Sequence, residues 1–244
     1  MVTVGLFGSD NTMPGLVGPH VISQNLGATL APFEHTCVNG MLQLNGRKCS
    51  TSQNHGIWIY AVQESGLLTS DELRFALARC PLDQGHTNLD TDEIADGANT
   101  LREWSNVHFR RAVSALRRRG QFELPARGWQ LLAAQCQALE PGALDLQAAT
   151  GALISAMAEV REDATLLPVL AVMLEPIAPG TAARVWAAVG RRGAPCVSLL
   201  RGAFEVGSEW DAVGPASSIA ADALDALPKG APVPQRRERT GCGS

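Results

Sequence analysis

The sequence predicts a mainly α-helical protein. In this prediction a multi-helix body follows an extended N-terminal arm with a small β-meander, and a flexible basic C-terminal tail comes last. Three observations favour this architecture: helical spacing of apolar residues from Thr69 onward, two Asn-Gly pairs in the first 65 residues, and a final segment almost without large apolar side chains. The predicted boundaries are 1–68 for the arm and meander, 69–227 for the helical domain and 228–244 for the tail.

The N-terminal arm contains two short apolar runs, VTVGLF at 2–7 and GIWIYAV at 56–62, whose length and β-branched content suit strands. Between them, the segment 37–49 reads CVNGMLQLNGRKC. Asn-Gly supplies the positive φ angles that tight hairpin turns require. We therefore expect a small β-meander here.

The helical domain begins with a clear signal, because Thr69 and Glu72 have capping-box spacing and Pro81 cannot continue a helix. A long helix is predicted to start at Asp90 or Thr91 and to end at Gly120. Gly and Pro residues bound the remaining predicted helices, which lie at 126–139, 143–161, 164–174, 180–190, 196–212 and 216–227.

Composition indicates a soluble globular protein with a formal net charge of −4, and no uninterrupted apolar run approaches the ~20 residues of a membrane helix. The N-terminus does not resemble a secretory signal, and six scattered cysteines in a chain of 244 residues are typical of free thiols. The sequence thus favours the cytoplasm, or a virion if the protein is viral, with no membrane partner. It predicts no cofactor and no bound metal.

Arginines are concentrated in the segment 108–123, HFRRAVSALRRRGQFE, although the chain as a whole is acidic. At 100° per residue, four of them fall within about 120° of one another on the side opposite Ala112 and Leu116. We predict that all five arginines of this segment and one later arginine bind nucleic-acid phosphates: Arg110, Arg111, Arg117, Arg118, Arg119 and Arg127. Smaller basic clusters lie at Arg184, Arg191 and Arg192 and in the tail at Arg236, Arg237 and Arg239.

A structural alternative explains the same arginines without a ligand. Asp92, Glu93 and Asp96 lie early in the predicted helix and the arginines lie in its last turns. This order complements the helix dipole, which stabilises acids near the N-terminus and bases near the C-terminus. These arginines could equally face another subunit or water.

Two further sites are conceivable in the arm. The segment Val4 to Gly8, which reads VGLFG, resembles the opening of the nucleotidylyltransferase superfamily, and this implies a nucleotide phosphate site; the first histidine of that superfamily's His-x-Gly-His motif is missing, and only His20 is near. His35, Cys37, Cys49 and His55 carry zinc-ligand side chains, but their spacing differs from the tight pairs of structural zinc sites.

No segment contains a motif specific enough to fix a reaction, so the sequence favours a non-enzymatic role. Extended termini, basic patches on an acidic chain and free cysteines resemble in outline the helical capsid and nucleocapsid proteins of viruses. The first hypothesis is a self-assembling structural protein that packages RNA or DNA by its phosphate backbone, with copies of itself as partners. The alternatives are a small-molecule enzyme that uses Cys37, His35 and His55, and a helical adaptor or effector that binds another protein.

Overall fold

The structure is a computed structural model that describes residues 3–27, 33–80, 87–207, 210 and 217–229. It is mainly helical with a few short strands, which confirms the predicted fold class in outline. The helices are α1 Gly18–Asn25, α2 Ile59–Ser65, α3 Ser70–Ala78, α4 Thr91–Glu103, α5 Phe109–Arg119, α6 Ala126–Ala138, α7 Leu146–Glu162, α8 Leu167–Leu174, α9 Pro179–Ala188 and α10 Ala221–Asp225. The strands are β1 Val4–Gly8, β2 His35–Asn39, β3 Leu42–Leu44, β4 Arg47–Lys48 and β5 Thr87–Leu89.

The beginning of the chain forms a βαβ unit in place of an extended arm. Strands β1 and β2 pair in parallel from Val4 opposite His35 to Gly8 opposite Asn39, with α1 between them in the chain. A parallel pair needs such a crossover because its strands run in the same direction. We call residues 3–27 and 33–39 the N-terminal unit, and the part from α2 to α10 the helical body.

A β-hairpin follows the N-terminal unit, but the predicted β-meander is wrong. Strands β3 and β4 are antiparallel, and Asn45 and Gly46 turn between them with φ of 49° and 73°, as Asn-Gly predicts. The first Asn-Gly pair makes no such turn, because β2 pairs with β1 in a separate sheet. The third strand beside β3 is the parallel β5, which lies more than forty residues later in the chain.

The predicted strand at 56–62 is also wrong, since its second half begins helix α2. A short apolar run cannot distinguish a strand from a buried helix segment by periodicity alone. Ala61 and Val62 are buried, and α2 ends at Gly66, which has a φ of 64°. This left-handed glycine was the available helix-stop signal.

The start of helix α3 confirms the predicted capping box. The Thr69 hydroxyl accepts a hydrogen bond from the Glu72 amide at 3.2 Å, and the Glu72 carboxylate accepts one from the Thr69 amide at 2.8 Å. Both groups satisfy amides that a helix terminus leaves unpaired.

The predicted long helix is present as α4 and α5, which join without a break through a π-helical turn at Trp104–His108. Asp90 and Glu93 form a second capping box at its start. Gly120, with a φ of 79°, ends it as predicted. The π-helical turn was not predicted, because it changes the helical repeat without changing the apolar pattern.

The later helices agree with the predictions up to residue 190, and two subsequent ones do not. Helix α7 begins at Leu146 because the Asp145 carboxylate caps it, accepting from the Ala148 amide at 2.8 Å. The predicted helix at 196–212 is wrong over its described part, 196–207: the one helical turn there is a short 3-10 turn at Val197–Leu199, after which Phe204 pairs with Phe122 in a β-bridge. The helix predicted at 216–227 is reduced to α10.

The helical body has two apolar cores. The larger core lies among α5 to α9 and is centred on α8, all of whose residues are buried. The smaller core joins α2, α3, α4 and α10 to the sheet of β3 and β5, so it includes residues on both sides of the predicted boundary at 68. That boundary remains a prediction, and the tail from residue 230 onward lies outside the described residues.

A buried ion pair connects the elements around the smaller core. Arg102 donates to both carboxylate oxygens of Glu72 at 2.8 and 2.9 Å, and to the carbonyls of Leu67 and Ser217 at 2.8 and 2.7 Å. Both side chains are 5% exposed. This network fixes α3, α4 and the segment before α10 to one another.

None of the helices in the described ranges is long and apolar enough to cross a membrane.

Candidate nucleic-acid interface

A cleft of about 540 Å³ lies between helix α5 and the C-terminal end of α7. Four arginines line it, three from α5 and one from α7: Arg111, Arg118, Arg119 and Arg161. Its lining also includes Trp104 and His108 from the π-helical turn and the carboxylates of Glu162 and Asp163. Guanidinium groups therefore outnumber carboxylates at this surface.

Helix α5 presents its arginines because its other face is fixed in the larger core. Phe109, Ala112, Val113 and Leu116 are buried, and they recur at helical spacing. The opposite face therefore lies in solvent, where the arginines are exposed. Three of these arginines fall in the last turn, where the helix dipole also favours positive charge.

The π-helical turn brings an aromatic pair to the edge of the cleft. His108 lies five residues after Glu103, and the wider turn lets its Nε2 atom approach the Glu103 carboxylate at 3.2 Å. The rings of Trp104 and His108 are 4.6 Å apart between centroids. His108 is half-buried and hydrogen-bonded to Glu103.

Arg161 forms the opposite wall of the cleft at the end of α7. Its guanidinium lies 5.0 Å from the centroid of the Trp104 ring, within the range of a cation–π contact. The neighbouring Asp163 is engaged locally, since it accepts hydrogen bonds from the amide and hydroxyl of Thr165 at 3.0 and 2.6 Å. One of the two acids in the cleft is thus committed to a helix cap.

The cleft arginines lack protein partners that would neutralise them. Among the described residues, none of Arg111, Arg118, Arg119 and Arg161 forms a salt bridge or a hydrogen bond. Unpaired guanidinium groups that converge on one cleft are suited to a polyanion, because each can bind a phosphate in a bidentate fork.

Arg127 behaves differently from the cleft arginines. Its Nε atom donates to Glu159 at 2.8 Å, and further hydrogen bonds join the same two side chains. The hydrogen bonds from Arg127 lower the pKa of the Glu159 carboxyl, and the same contact raises the pKa of Arg127. Its charge is therefore matched within the protein.

The structure divides the six arginines predicted to bind phosphate into three groups. Arg111, Arg118 and Arg119 line the cleft, whereas Arg110 and Arg117 are exposed on α5 outside it. Arg127 is paired with Glu159. Arg161 was missed, because a single arginine in a distant helix gives no sequence signal that it faces α5.

The second basic cluster is structural. Arg184 lies 4.8 Å from the centroid of the Trp210 ring, and burial lowers the pKa of its guanidinium. Arg191 lies over Phe204 at 4.3 Å and donates to the carbonyls of Arg201 and Ala203. The third cluster, in the tail, lies outside the described residues.

The Cys and His residues of the first 55 positions do not assemble into a common site. His35 and Cys37 lie on β2 in one sheet, whereas the His55 ring is 2.8 Å from the Leu44 carbonyl in the other. In the part of the chain that the structure describes, no group of three or more His, Cys, Asp or Glu side chains could hold a metal ion. The enzyme alternative built on Cys37, His35 and His55 therefore gains no support from the geometry.

Comparison with known proteins gives a sequence match to one family and a fold match to solved structures. Residues 18–110 match the family described as tRNA synthetases class I (M). No curated protein is similar enough in sequence to count as a match.

Two of the similar solved structures are aminoacyl-tRNA synthetases. A LeuRS of Agrobacterium radiobacter K84, in a ternary complex with tRNA and LeuAMS, has a TM-score of 0.62 and 19% identity over 92% of this chain. A Mycobacterium tuberculosis methionyl-tRNA synthetase in complex with methionyl-adenylate has a TM-score of 0.59 and 18% identity over 89% of it. The chain spans only 30% and 49% of their lengths.

These matches overturn the capsid prediction, and they give no support to a viral location. Scattered arginines, free cysteines and the absence of a readable reaction motif do not specify an architecture, so the outline on which that prediction rested was not diagnostic. The matches also give no support to self-assembly. The chain has a fold like that of part of a class I aminoacyl-tRNA synthetase.

Proposed function

We propose that this chain is the tRNA-binding part of a protein related to class I aminoacyl-tRNA synthetases, and that it holds the RNA in the cleft between α5 and α7. The observation that carries the proposal is the convergence on that cleft of four guanidinium groups that form no salt bridge or hydrogen bond with the described residues. Nucleic-acid binding by the α5 arginines was already predicted from the sequence, and a LeuRS of similar fold binds tRNA.

The shape and lining of the cleft suit RNA. Its arginines can bind phosphates in bidentate fashion without reading sequence. The half-buried His108 and the small side chains of Ala112 and Ala115 leave room beside those arginines. Aromatic and guanidinium planes are the surfaces on which unpaired RNA bases stack.

The proposal is limited to RNA binding because the chain spans less than two thirds of the synthetases it resembles. A cytoplasmic location, predicted from the sequence, agrees with a tRNA-binding role.

The test is the affinity of the full chain for unmodified tRNA-Met and tRNA-Leu transcripts, measured by fluorescence anisotropy between about 50 and 200 mM salt. We expect affinity to fall steeply with salt. In the double variant Arg118→Ala/Arg119→Ala, we expect binding at least tenfold weaker and a logarithmic salt slope shallower by about two, since each lost phosphate contact lowers that slope by about one.

The matched control is Arg192→Ala/Arg201→Ala, which removes two exposed arginines outside the cleft and gives the same change in net charge. It should bind nearly as tightly as the original chain. Equal loss in both double variants would show that only overall charge matters, and unchanged binding in the α5 variant would refute the cleft as the RNA site. Circular dichroism of each variant confirms that it is folded.

A further inference from the structure

A cavity of about 310 Å³ lies in the helical body among α3, α6, α7 and the turn between α8 and α9. Its wall is mostly apolar and includes Leu77, Ala78, Leu139, Leu146, Ala149 and Ile177. Small-molecule sites are concave and mostly apolar, with a few polar groups that fix the ligand's orientation, and their volumes begin at about 300 Å³. The cavity has the size and the lining of such a site.

Hydrogen bonds between the surrounding elements hold the walls of the cavity in place. Arg74 of α3 donates to the carbonyls of Pro176 and Ile177, each at 2.8 Å, so the turn between α8 and α9 is fixed to α3. The Thr150 hydroxyl of α7 donates to the Ala78 carbonyl at the end of α3 at 2.9 Å. Three sides of the cavity are thus tied to one another, as in ligand sites that exist before the ligand binds.

One buried polar side chain of the lining has an acceptor without a partner. Gln135 of α6 is 3% exposed, and its amide nitrogen donates to the carbonyls of Met173 at 3.0 Å and Ala149 at 3.5 Å. These bonds orient the amide. Its Oε1 atom accepts no hydrogen bond from the described residues and remains accessible. This oxygen is therefore available to an N–H or O–H group in the cavity.

The remaining polar groups of the lining favour an uncharged ligand. Burial raises the pKa of the Cys80 thiol, and the nearby Glu93 carboxylate raises it further, so the thiol is neutral near pH 7. The guanidinium of Arg74 is engaged by the two carbonyls of the turn between α8 and α9. A charged ligand would lose its hydration at this wall without gaining a free partner of opposite charge.

We propose that this cavity binds a small uncharged molecule that is mostly apolar and carries one hydrogen-bond donor. The apolar part of the ligand contacts the leucine and alanine side chains of the wall, and its donor bonds to the Oε1 atom of Gln135. Removal of apolar surface from water drives binding, and the hydrogen bond fixes the orientation. The site is distinct from the proposed RNA cleft, with which it shares no residue.

Indole is the test ligand, because it is apolar and its one N–H group is a donor. The full chain is treated with N-ethylmaleimide at rising indole concentrations, and mass spectrometry of its peptides gives the alkylation rate of each cysteine. We expect saturating indole to slow the alkylation of Cys80 by at least about tenfold, since reaction requires access to the thiol. Cys196, an exposed thiol outside the cavity, is the internal control and should react at an unchanged rate.

Benzofuran separates the hydrogen bond from the apolar contact, because an oxygen atom replaces the N–H group of indole. We expect half-protection of Cys80 to require about three to ten times more benzofuran than indole, which is the factor that one net hydrogen bond contributes. Equal concentrations at half-protection would overturn the assignment of Gln135 as the acceptor.

A variant that fills the cavity tests its location. Ala78→Phe places a ring at the wall, and we expect indole to protect Cys80 at least about tenfold less well in this variant. Ala158→Phe makes the same change at an exposed residue of α7 outside the cavity and should behave like the original chain. Circular dichroism shows whether both variants are folded, and the benzofuran comparison tests the site without any substitution.

Indole that leaves the alkylation of Cys80 unchanged, or slows it equally at Cys196, would overturn the proposal. Full resistance of Cys80 to alkylation without indole would overturn it too, because the cavity would then already be filled. Protection that rises with protein concentration alone would show that another copy of the chain occupies the site. None of these outcomes depends on tRNA binding, which is measured at a separate surface.

Discussion

Helices α1 and α8 are both eight residues long and have opposite surroundings. Every residue of α8, from Leu167 to Leu174, is buried in the larger core, whereas no residue of α1 is buried. Val21 and Ile22 of α1 are apolar all the same and lie in solvent. The helical body thus contains the partners of its own apolar side chains, and the N-terminal unit does not. Stability should therefore reside in the body.

The largest change in the stability of the helical body is expected from Arg102→Met. The variant leaves the Glu72 carboxylate buried without its partner, and breaking such a pair costs about 3–5 kcal/mol of unfolding free energy. Urea denaturation followed by tryptophan fluorescence measures it, because all five tryptophans lie after residue 57 and so report on the body. Arg192→Met, an exposed site, is the control and should change stability little. A loss below about 1 kcal/mol for Arg102→Met would mean that the pair does not hold the body together.

A smaller loss of stability is expected from a substitution where α3 and α4 cross. A Cβ atom on Gly97 would lie 2.7 Å from the Ala76 Cα atom, so Gly97→Ala should cost about 1–3 kcal/mol through overpacking. Gly151→Ala in α7 is the matched control, since nothing lies within 4 Å of the added carbon. That variant should be stabilised by up to about 1 kcal/mol, because alanine favours helix. Equal changes in the two variants, measured by the same denaturation, would show that the helices can separate without cost.

The smallest effect is expected in the N-terminal unit. Leu6→Asp should change the unfolding free energy of the body by less than about 0.5 kcal/mol, as exposed substitutions usually do. A large loss of body stability would instead mean that the body depends on the unit, and the contrast between α1 and α8 would need another explanation.

The sequence by itself determined most of the helical body. Thr69 with Glu72, Asp90 with Glu93, and Gly120 are local signals, because a cap or a left-handed glycine acts on its own helix terminus. The Asn45–Gly46 turn was predictable for the same reason. The basic face of α5 also followed from helical periodicity alone. The capsid prediction did not follow from any such local signal, since the distribution of charge does not specify a fold.

Only the tertiary structure decided what depends on contacts between distant segments. It placed Arg161 in the same cleft as the arginines of α5 and paired Arg127 with Glu159. It also placed β5 beside β3. It replaced a predicted helix by the bridge between Phe122 and Phe204. The physical reason is common to all of them: caps and turns are settled by neighbours within a few residues, whereas pairing and burial are settled by whichever surface the folded chain brings near.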